Sequence, residues 1–147
     1  MIYWLTGQPA HGKTTLAEML VQHYIKRHTK VFHIDGDHLR KLTTNKDYSE
    51  QGRIDNVRTA QKISNYLHND GYDVVVSLVS PYRWLREEFK DKMSEDIIEY
   101  YIHTDEVRER DHFKVKDYEP PLDNFISIDT TEDNPEESLI KILSKLT

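Results

Sequence analysis

The residues Gly7-Gln8-Pro9-Ala10-His11-Gly12-Lys13-Thr14-Thr15 fit the pattern G-x-x-x-x-G-K-[ST], a spacing that builds an anion cradle. Its glycines let consecutive backbone N–H groups close on a phosphate, and a helix starting at the end of the loop adds its positive N-terminus. Lys13 is long enough to reach the β- and γ-phosphates, and the Thr14 hydroxyl is a ligand for Mg²⁺. A nucleoside triphosphate with Mg²⁺ is the expected pair, held along Gly7 to Thr15. His11, inside the loop, reads as a solvent-facing side chain.

A second group follows at Asp35-Gly36-Asp37-His38-Leu39-Arg40. Asp35 is suited to hold a Mg²⁺-bound water, Asp37 to orient or deprotonate an attacking hydroxyl, and Arg40 to meet an anionic substrate. The bland readings are a helix N-cap for Asp37 and a surface ion pair for Arg40. A transition-metal site at His33, Asp35, Asp37 and His38 is disfavoured, because His33 and Asp35 alternate along a strand and Asp37 lies past a turn. A nucleoside triphosphate with Mg²⁺ serves kinases, GTPases and motor ATPases alike. A GTPase needs a late N-K-x-D element, and Asn45-Lys46-Asp47 has the wrong spacing and comes too early. Kinase chemistry leads.

These groups need elements to position them. Apolar runs at Ile2–Thr6, Val31–Asp35, Val74–Val79, Ile97–His103 and Phe125–Ile128 read as strands, and Val74–Val79 is continuous enough to be buried on both faces. Helical spacing marks about Lys13 to Arg27, about Arg53 to His68, about Tyr82 to Met93, and Pro135 to Leu146, the last with Asn134 as N-cap. The alternation predicts an α/β fold of three layers, α/β/α, around a mainly parallel sheet of about five strands. Asp35 and Asp37 then fall at a strand end beside the loop, where such sheets bind ligands.

Composition narrows the partners. The chain has 147 residues, a size that suits one domain spanning 1–147. With 20 Lys+Arg against 26 Asp+Glu, its net charge of -6 argues against a nucleic-acid partner. It has no cysteine, which excludes disulfides, thiolate metal sites and cysteine nucleophiles. Val74–Val79 falls far short of the roughly 20 residues of a membrane span, and no signal-peptide pattern opens the chain, so a cytoplasmic location is expected.

Taken in order, the Gly7–Thr15 loop, Asp35-Gly36-Asp37-x-Leu39-Arg40, Tyr48-Ser49-x-x-x-Arg53-x-x-Asn56-x-Arg58 and Val79-Ser80-Pro81-Tyr82-Arg83 resemble the adenylylsulfate kinases. These are P-loop kinases that phosphorylate the 3′-hydroxyl of adenosine 5′-phosphosulfate. The resemblance implies that Arg40, Arg53 and Asn56 contact that substrate and that Tyr48 stands where the family has a Phe on the adenine. It implies that Val79, Ser80 and Pro81 line the substrate pocket, with Ser80 as wall before phosphorylation site. Arg53 and Asn56, at i and i+3, share one helix face and can address one anion together.

Arg108-Glu109-Arg110-Asp111 resembles the start of the family's lid, which implies that Arg110 approaches the ATP phosphates. The family's Lys-Gly-Leu-Tyr element is missing, so a short lid is expected around 105–119. Lys114 and Lys116 either replace the missing lysine or form a solvated charge pair. Ala10 stands where the family has a glycine and Gly52 where it often has an aspartate. Trp4, Tyr100 and Tyr101 read as core or strand-surface residues. The reading is an ATP- and Mg²⁺-dependent kinase with adenosine 5′-phosphosulfate as its small-molecule partner, no membrane partner, and a homodimer left open. Its catalytic group would be Lys13, Asp35, Asp37 and Arg110. Two alternatives stand beside it: phosphorylation of another nucleotide, nucleic-acid or small-molecule hydroxyl, and a nucleotide-binding module without turnover.

Overall fold

Ile2, Trp4 and Thr6 alternate with Tyr3 and Leu5 along the first strand, and all five are buried, so this strand must lie inside a sheet covered on both faces. A computed structural model describes residues 1–9, 12–27, 29–105 and 115–145. The order is β1 (Ile2–Thr6), α1 (Lys13–Lys26), β2 (Val31–Asp35), α2 (Gly36–Thr43), α3 (Glu50–Asn69), β3 (Asp73–Ser77), α4 (Arg83–Met93), β4 (Ile97–His103), β5 (Ile126–Asp129) and α5 (Pro135–Ser144). The five strands form one sheet in the order β2-β3-β1-β4-β5, every pair parallel. This is the three-layer α/β/α arrangement that the strand and helix alternation predicts.

Two cores separate on the sheet. On one face Ile2, Trp4, Val74 and Val76 pack with Leu39 of α2, Val57 and Ala60 of α3, and Leu85 and Phe89 of α4. On the other, Tyr3, Leu5, Val75, Tyr100 and Ile102 pack with Leu16 and Leu20 of α1 and Ile142 of α5. Among the described residues, no helix is long and apolar enough to cross a membrane.

The boundaries differ from the sequence reading where polar contacts outvote hydrophobic pattern. β3 stops at Ser77 rather than Val79, because the chain turns there and Ser80 takes a left-handed φ of 47°. α3 starts at Glu50 rather than Arg53, because the Ser49 hydroxyl accepts from the Gly52 amide. The helix α2 is foreshadowed in the sequence reading only by the helix N-cap weighed for Asp37, since it is eight residues long and buries only Leu39. At α5, Asn134 caps as expected, accepting from the Glu137 amide at 2.9 Å.

Below the sheet's ligand edge lies a buried charge cluster. Glu99, on β4, accepts from Arg86 Nε at 2.9 Å and from Lys90 Nζ at 2.8 Å, both on α4. The Arg86 guanidinium also donates to the carbonyls of Ser80 and Glu119, and Lys90 to that of Asp123. The cluster therefore pins the turn after β3 and the 119–123 segment to the sheet. Lys90 also pairs with Glu87 at 3.0 Å. Removing Glu99 would therefore leave the buried Arg86 cation without a carboxylate and Lys90 with Glu87 alone, which costs far more than an exposed pair is worth. Glu99→Ala should lower unfolding stability by about 3–5 kcal/mol in urea titrations; a loss below about 1 kcal/mol, the exposed-pair range, would contradict this reading.

Candidate active site

The phosphate loop leaves β1 through Gly7, whose φ is 154° and whose missing Cβ would stand 2.1 Å from the Ile102 carbonyl oxygen. Only glycine fits that approach. The loop ends at Gly12 in a left-handed conformation, and α1 carries no acidic residue in its first turn to neutralise its positive end. The buried Lys13 side chain donates to the Gln8 carbonyl at 2.7 Å. The Gln8 amide makes a two-point pair with Val115, donating to its carbonyl and accepting from its N–H, both at 2.8 Å. The loop is thereby tied to the segment that begins at Val115. Ala10, His11, Arg108, Arg110 and Lys114 lie outside the described residues.

Asp35, at the end of β2, is the meeting point of the site. Its Oδ1 accepts from Thr14 Oγ1 and from Ser77 Oγ, each at 3.0 Å, and its Oδ2 accepts from the amides of Asp37 and His38. The helix cap that the sequence reading weighed for Asp37 thus belongs to Asp35. Burial alone would push the Asp35 carboxyl up. The bonds from Thr14, Ser77 and the His38 amide, with the nearby His33, outweigh burial and hold it below the ordinary carboxylate value. His33 reaches the same hydroxyl from the other side, with Nε2 2.8 Å from Ser77 Oγ. Burial, ahead of the opposing pull of Asp35 and Glu18, lowers the proton affinity of its ring.

A cavity of about 440 Å³ opens on these residues. Pro9, Lys13, Thr14, Asp35 and Asp37 line it together with Arg40, Tyr48, Arg53 and Asn56. Val79, Ser80 and Pro81 complete the wall. The structure therefore brings together most of the residues picked out in the sequence, while Gly7, Gln8, Gly12 and Thr15 do not line the cavity. Arg40 differs from expectation in what it touches. Its Nη1 donates to the carbonyl and side-chain oxygens of Asn45 and to the Asp47 carbonyl, and its guanidinium lies 4.1 Å from the Tyr48 ring centre. Arg40 thus holds the turn that presents Tyr48, and Tyr48 keeps 63% of its surface exposed. Gly52 lets this turn pack, since a Cβ there would meet the Asp47 carbonyl at 2.1 Å.

Two groups in the cavity call for a ligand. The buried Asn56 carries a side-chain oxygen with no hydrogen-bond partner, which calls for a donor, and the Arg53 guanidinium, on the same wall, is a fixed cation, which calls for an anion. Ser80, 2% exposed, accepts from the Trp4 indole N–H at 3.1 Å, so its hydroxyl is part of a fixed wall. Thr6 donates to the Val79 carbonyl at 2.7 Å and meets the Tyr118 hydroxyl at 3.0 Å. Burial, partly offset by Thr6 and Arg86, pushes Tyr118 up to about 12. The sequence reading missed Ser77, Arg86 and Glu99, and it weighed His33 only as a metal ligand. Glu99 was detectable as a lone charge inside an apolar strand; the others have no local signal.

A phosphate loop feeding α1, a fixed carboxylate at the end of β2 and an anion-seeking wall on the same cavity are the parts by which a P-loop kinase brings nucleotide and acceptor together. Comparison with known proteins narrows that class. The chain belongs to the adenylylsulphate kinase family, whose profile matches residues 1–142, and is an ATP-dependent kinase. It is 33% identical over 162 aligned positions to the adenylyl-sulfate kinase of Gloeothece citriformis, covering 97% of this chain and 92% of that protein. It is 30% identical over 143 positions to the cytidine diphosphoramidate kinase of Campylobacter jejuni, covering 95% and 84%. The fold matches that of the Mycobacterium tuberculosis APS kinase CysC in complex with AMPPNP and APS, with a TM-score of 0.85 at 21% identity over 99% and 96% of the two chains.

The depressed Asp35 value has a consequence for acid stability. Because the folded carboxyl lies below its unfolded value of 3.8, its contribution is present in full above that value and is lost as pH falls through the lowered one. The stability gap between wild type and Asp35→Asn should be widest near neutral pH and narrow below 3.8. A gap that does not change with pH in urea titrations would contradict the assignment.

Proposed function

We propose that the chain transfers the γ-phosphoryl group of ATP to the 3′-hydroxyl of adenosine 5′-phosphosulfate, giving 3′-phosphoadenylylsulfate. The observation that carries this reading is the single cavity lined by Lys13 and Thr14 and also by Tyr48, Arg53 and Asn56, with Asp35 and Asp37 on it as well. Lys13 and the first amides of α1 bind the nucleotide's phosphates. Thr14 and, through water, Asp35 hold Mg²⁺. Both offer oxygen, the donor type that Mg²⁺ takes, and the Thr14 proton is already committed to Asp35, which leaves the lone pairs of its oxygen available. When bound, Mg²⁺ neutralises charge on the phosphate oxygens.

Asp37, exposed on the first turn of α2, orients the attacking hydroxyl and accepts its proton. Arg53 and, by its side-chain N–H₂, Asn56 hold the acceptor's anionic end, and Tyr48, backed by Arg40, stacks on its base. Ser80 and Pro81 form the wall, with Ser80 as wall and not phosphate carrier. Arg110 is assigned to the ATP phosphates on the family pattern alone.

A second acceptor, cytidine diphosphoramidate, is favoured by one observation. The alignment with the Gloeothece adenylyl-sulfate kinase spans 162 positions, more than this chain has residues, so that enzyme carries a segment this chain lacks. The alignment with the Campylobacter cytidine diphosphoramidate kinase spans only 143. Both acceptors are nucleosides whose 5′-phosphate bears a second tetrahedral group, which suits the Arg53 and Asn56 wall.

The test is ADP release from Mg·ATP with adenosine 5′-phosphosulfate, cytidine diphosphoramidate, adenosine monophosphate or a short oligonucleotide as acceptor. Stimulation by adenosine 5′-phosphosulfate is expected; stimulation by cytidine diphosphoramidate alone would select the second reading, and none by either would overturn both. Lys13→Ala should lower kcat by about 10²-fold or more. Arg53→Ala should mainly raise the acceptor KM, by about 10- to 100-fold, the worth of a charged hydrogen bond. Wild-type kinetics in both variants would contradict the site.

A further inference from the structure

Ser77 has two partners and one proton. Its oxygen is 3.0 Å from Asp35 Oδ1 and 2.8 Å from His33 Nε2. The parallel register sets Asp35 opposite Ser77 and His33 opposite Val75, so all three polar side chains leave the same face of β2 and β3. A serine hydroxyl has a single proton to give, and an ionised carboxylate accepts only. Turning that proton toward His33 would leave two oxygens facing each other, lone pair to lone pair, at 3.0 Å. The proton therefore goes to Asp35, and the 2.8 Å contact on the other side requires His33 Nε2 to be the donor. This holds for a neutral and for a cationic ring alike, since both can carry a proton on Nε2.

The direction of the whole chain of bonds follows. His33 Nε2–H donates to Ser77, Ser77 donates to Asp35 Oδ1, and Thr14 donates to the same oxygen. We propose that His33 is a positioning residue of the phosphoryl-donor site, held with its proton on Nε2, and that it fixes through Ser77 and Asp35 the hydroxyl orientation with which Thr14 meets the nucleotide's cation. The inference rests on the donor half of the proposed function, and the identity of the acceptor plays no part in it. Without the His33 donor, the Ser77 hydroxyl is released to rotate, and Asp35 loses one of the two protons that set the direction of Oδ1. Partners one bond removed from a metal ligand alter affinity by about 10- to 100-fold when lost; His33 stands further back, so about 3- to 10-fold is expected.

Two measurements test this. In protein labelled with ¹⁵N-histidine, long-range NMR correlation, assigned with the His33→Phe variant, should show His33 Nε2 as a protonated, pyrrole-type nitrogen whose shift changes in Ser77→Ala. Calorimetric titration of Mg²⁺ into the protein·ADP complex should show affinity lowered about 3- to 10-fold in His33→Phe and in Ser77→Ala. Binding of ADP without Mg²⁺ should stay unchanged, and His33→Gln, which keeps an N–H donor, should recover most of the loss. Circular dichroism melts identify any variant that loses its fold. A pyridine-type His33 Nε2 would overturn the proposal, as would wild-type Mg²⁺ affinity in His33→Phe. Failure of the wild type to bind Mg·ADP at all would overturn it together with the donor half of the proposed function, whereas acceptor assays that fail alongside intact Mg·ADP binding would touch only the acceptor reading.

Discussion

Four donors from three elements converge on the Asp35 carboxylate: the Thr14 hydroxyl from α1, the Ser77 hydroxyl from β3, and the first amides of α2. The phosphate loop and the wall with Arg53 and Asn56 are built on different parts of the chain, and this carboxylate is where they meet. It caps the helix that carries Asp37 and Arg40, and it faces the residue of the phosphate loop suited to a cation. A charge buried this far is tolerable only because its lone pairs are satisfied. The same bonds that hold it ionised therefore also fix the distance between the two halves of the cavity.

The remaining architecture supports that junction from behind. Glu99 with Arg86 and Lys90 is a buried ion cluster, and such clusters are weak arguments for stability but strong constraints on position. Here the positions constrained are the carbonyls of Ser80, Glu119 and Asp123. Ser80 holds a left-handed backbone without being glycine. It bears that cost because the Trp4 indole and the Arg86 guanidinium hold it from both ends. The pairing of Gln8 with Val115 adds a link between the phosphate loop and the far segment of the chain. The result is a rigid wall on which catalysis by positioning and charge can work.

The legible part of this protein is the part written in local pattern. β1, β2 and β4 read to their observed ends because their apolar residues are continuous, and the phosphate loop reads because its chemistry demands fixed spacing. The end of β3 does not read, since Leu78 and Val79 are as apolar as the strand before them yet belong to the turn. α2 does not read because eight residues, held by a carboxylate cap and one buried leucine, are too short a stretch for a period to stand out. Asp35 and Asp37 were identified as a pair, but which of them caps α2 depends on where the helix starts. Ser77, His33 and Arg86 acquire their meaning only from strand register and helix packing, between residues far apart in the chain. Arg40 shows the same limit: its type suggests an anion contact, and only the fold shows that it also supports the turn that presents Tyr48.

The central claim is that nucleotide and acceptor occupy one cavity and that the phosphoryl group passes directly between them. The most direct test uses ATP made chiral at its γ-phosphorus with oxygen isotopes, turned over with whichever acceptor stimulates ADP release. A single in-line transfer predicts inversion of configuration at phosphorus in the product. Retention would require a phosphorylated enzyme between the two steps, and it would contradict the direct transfer.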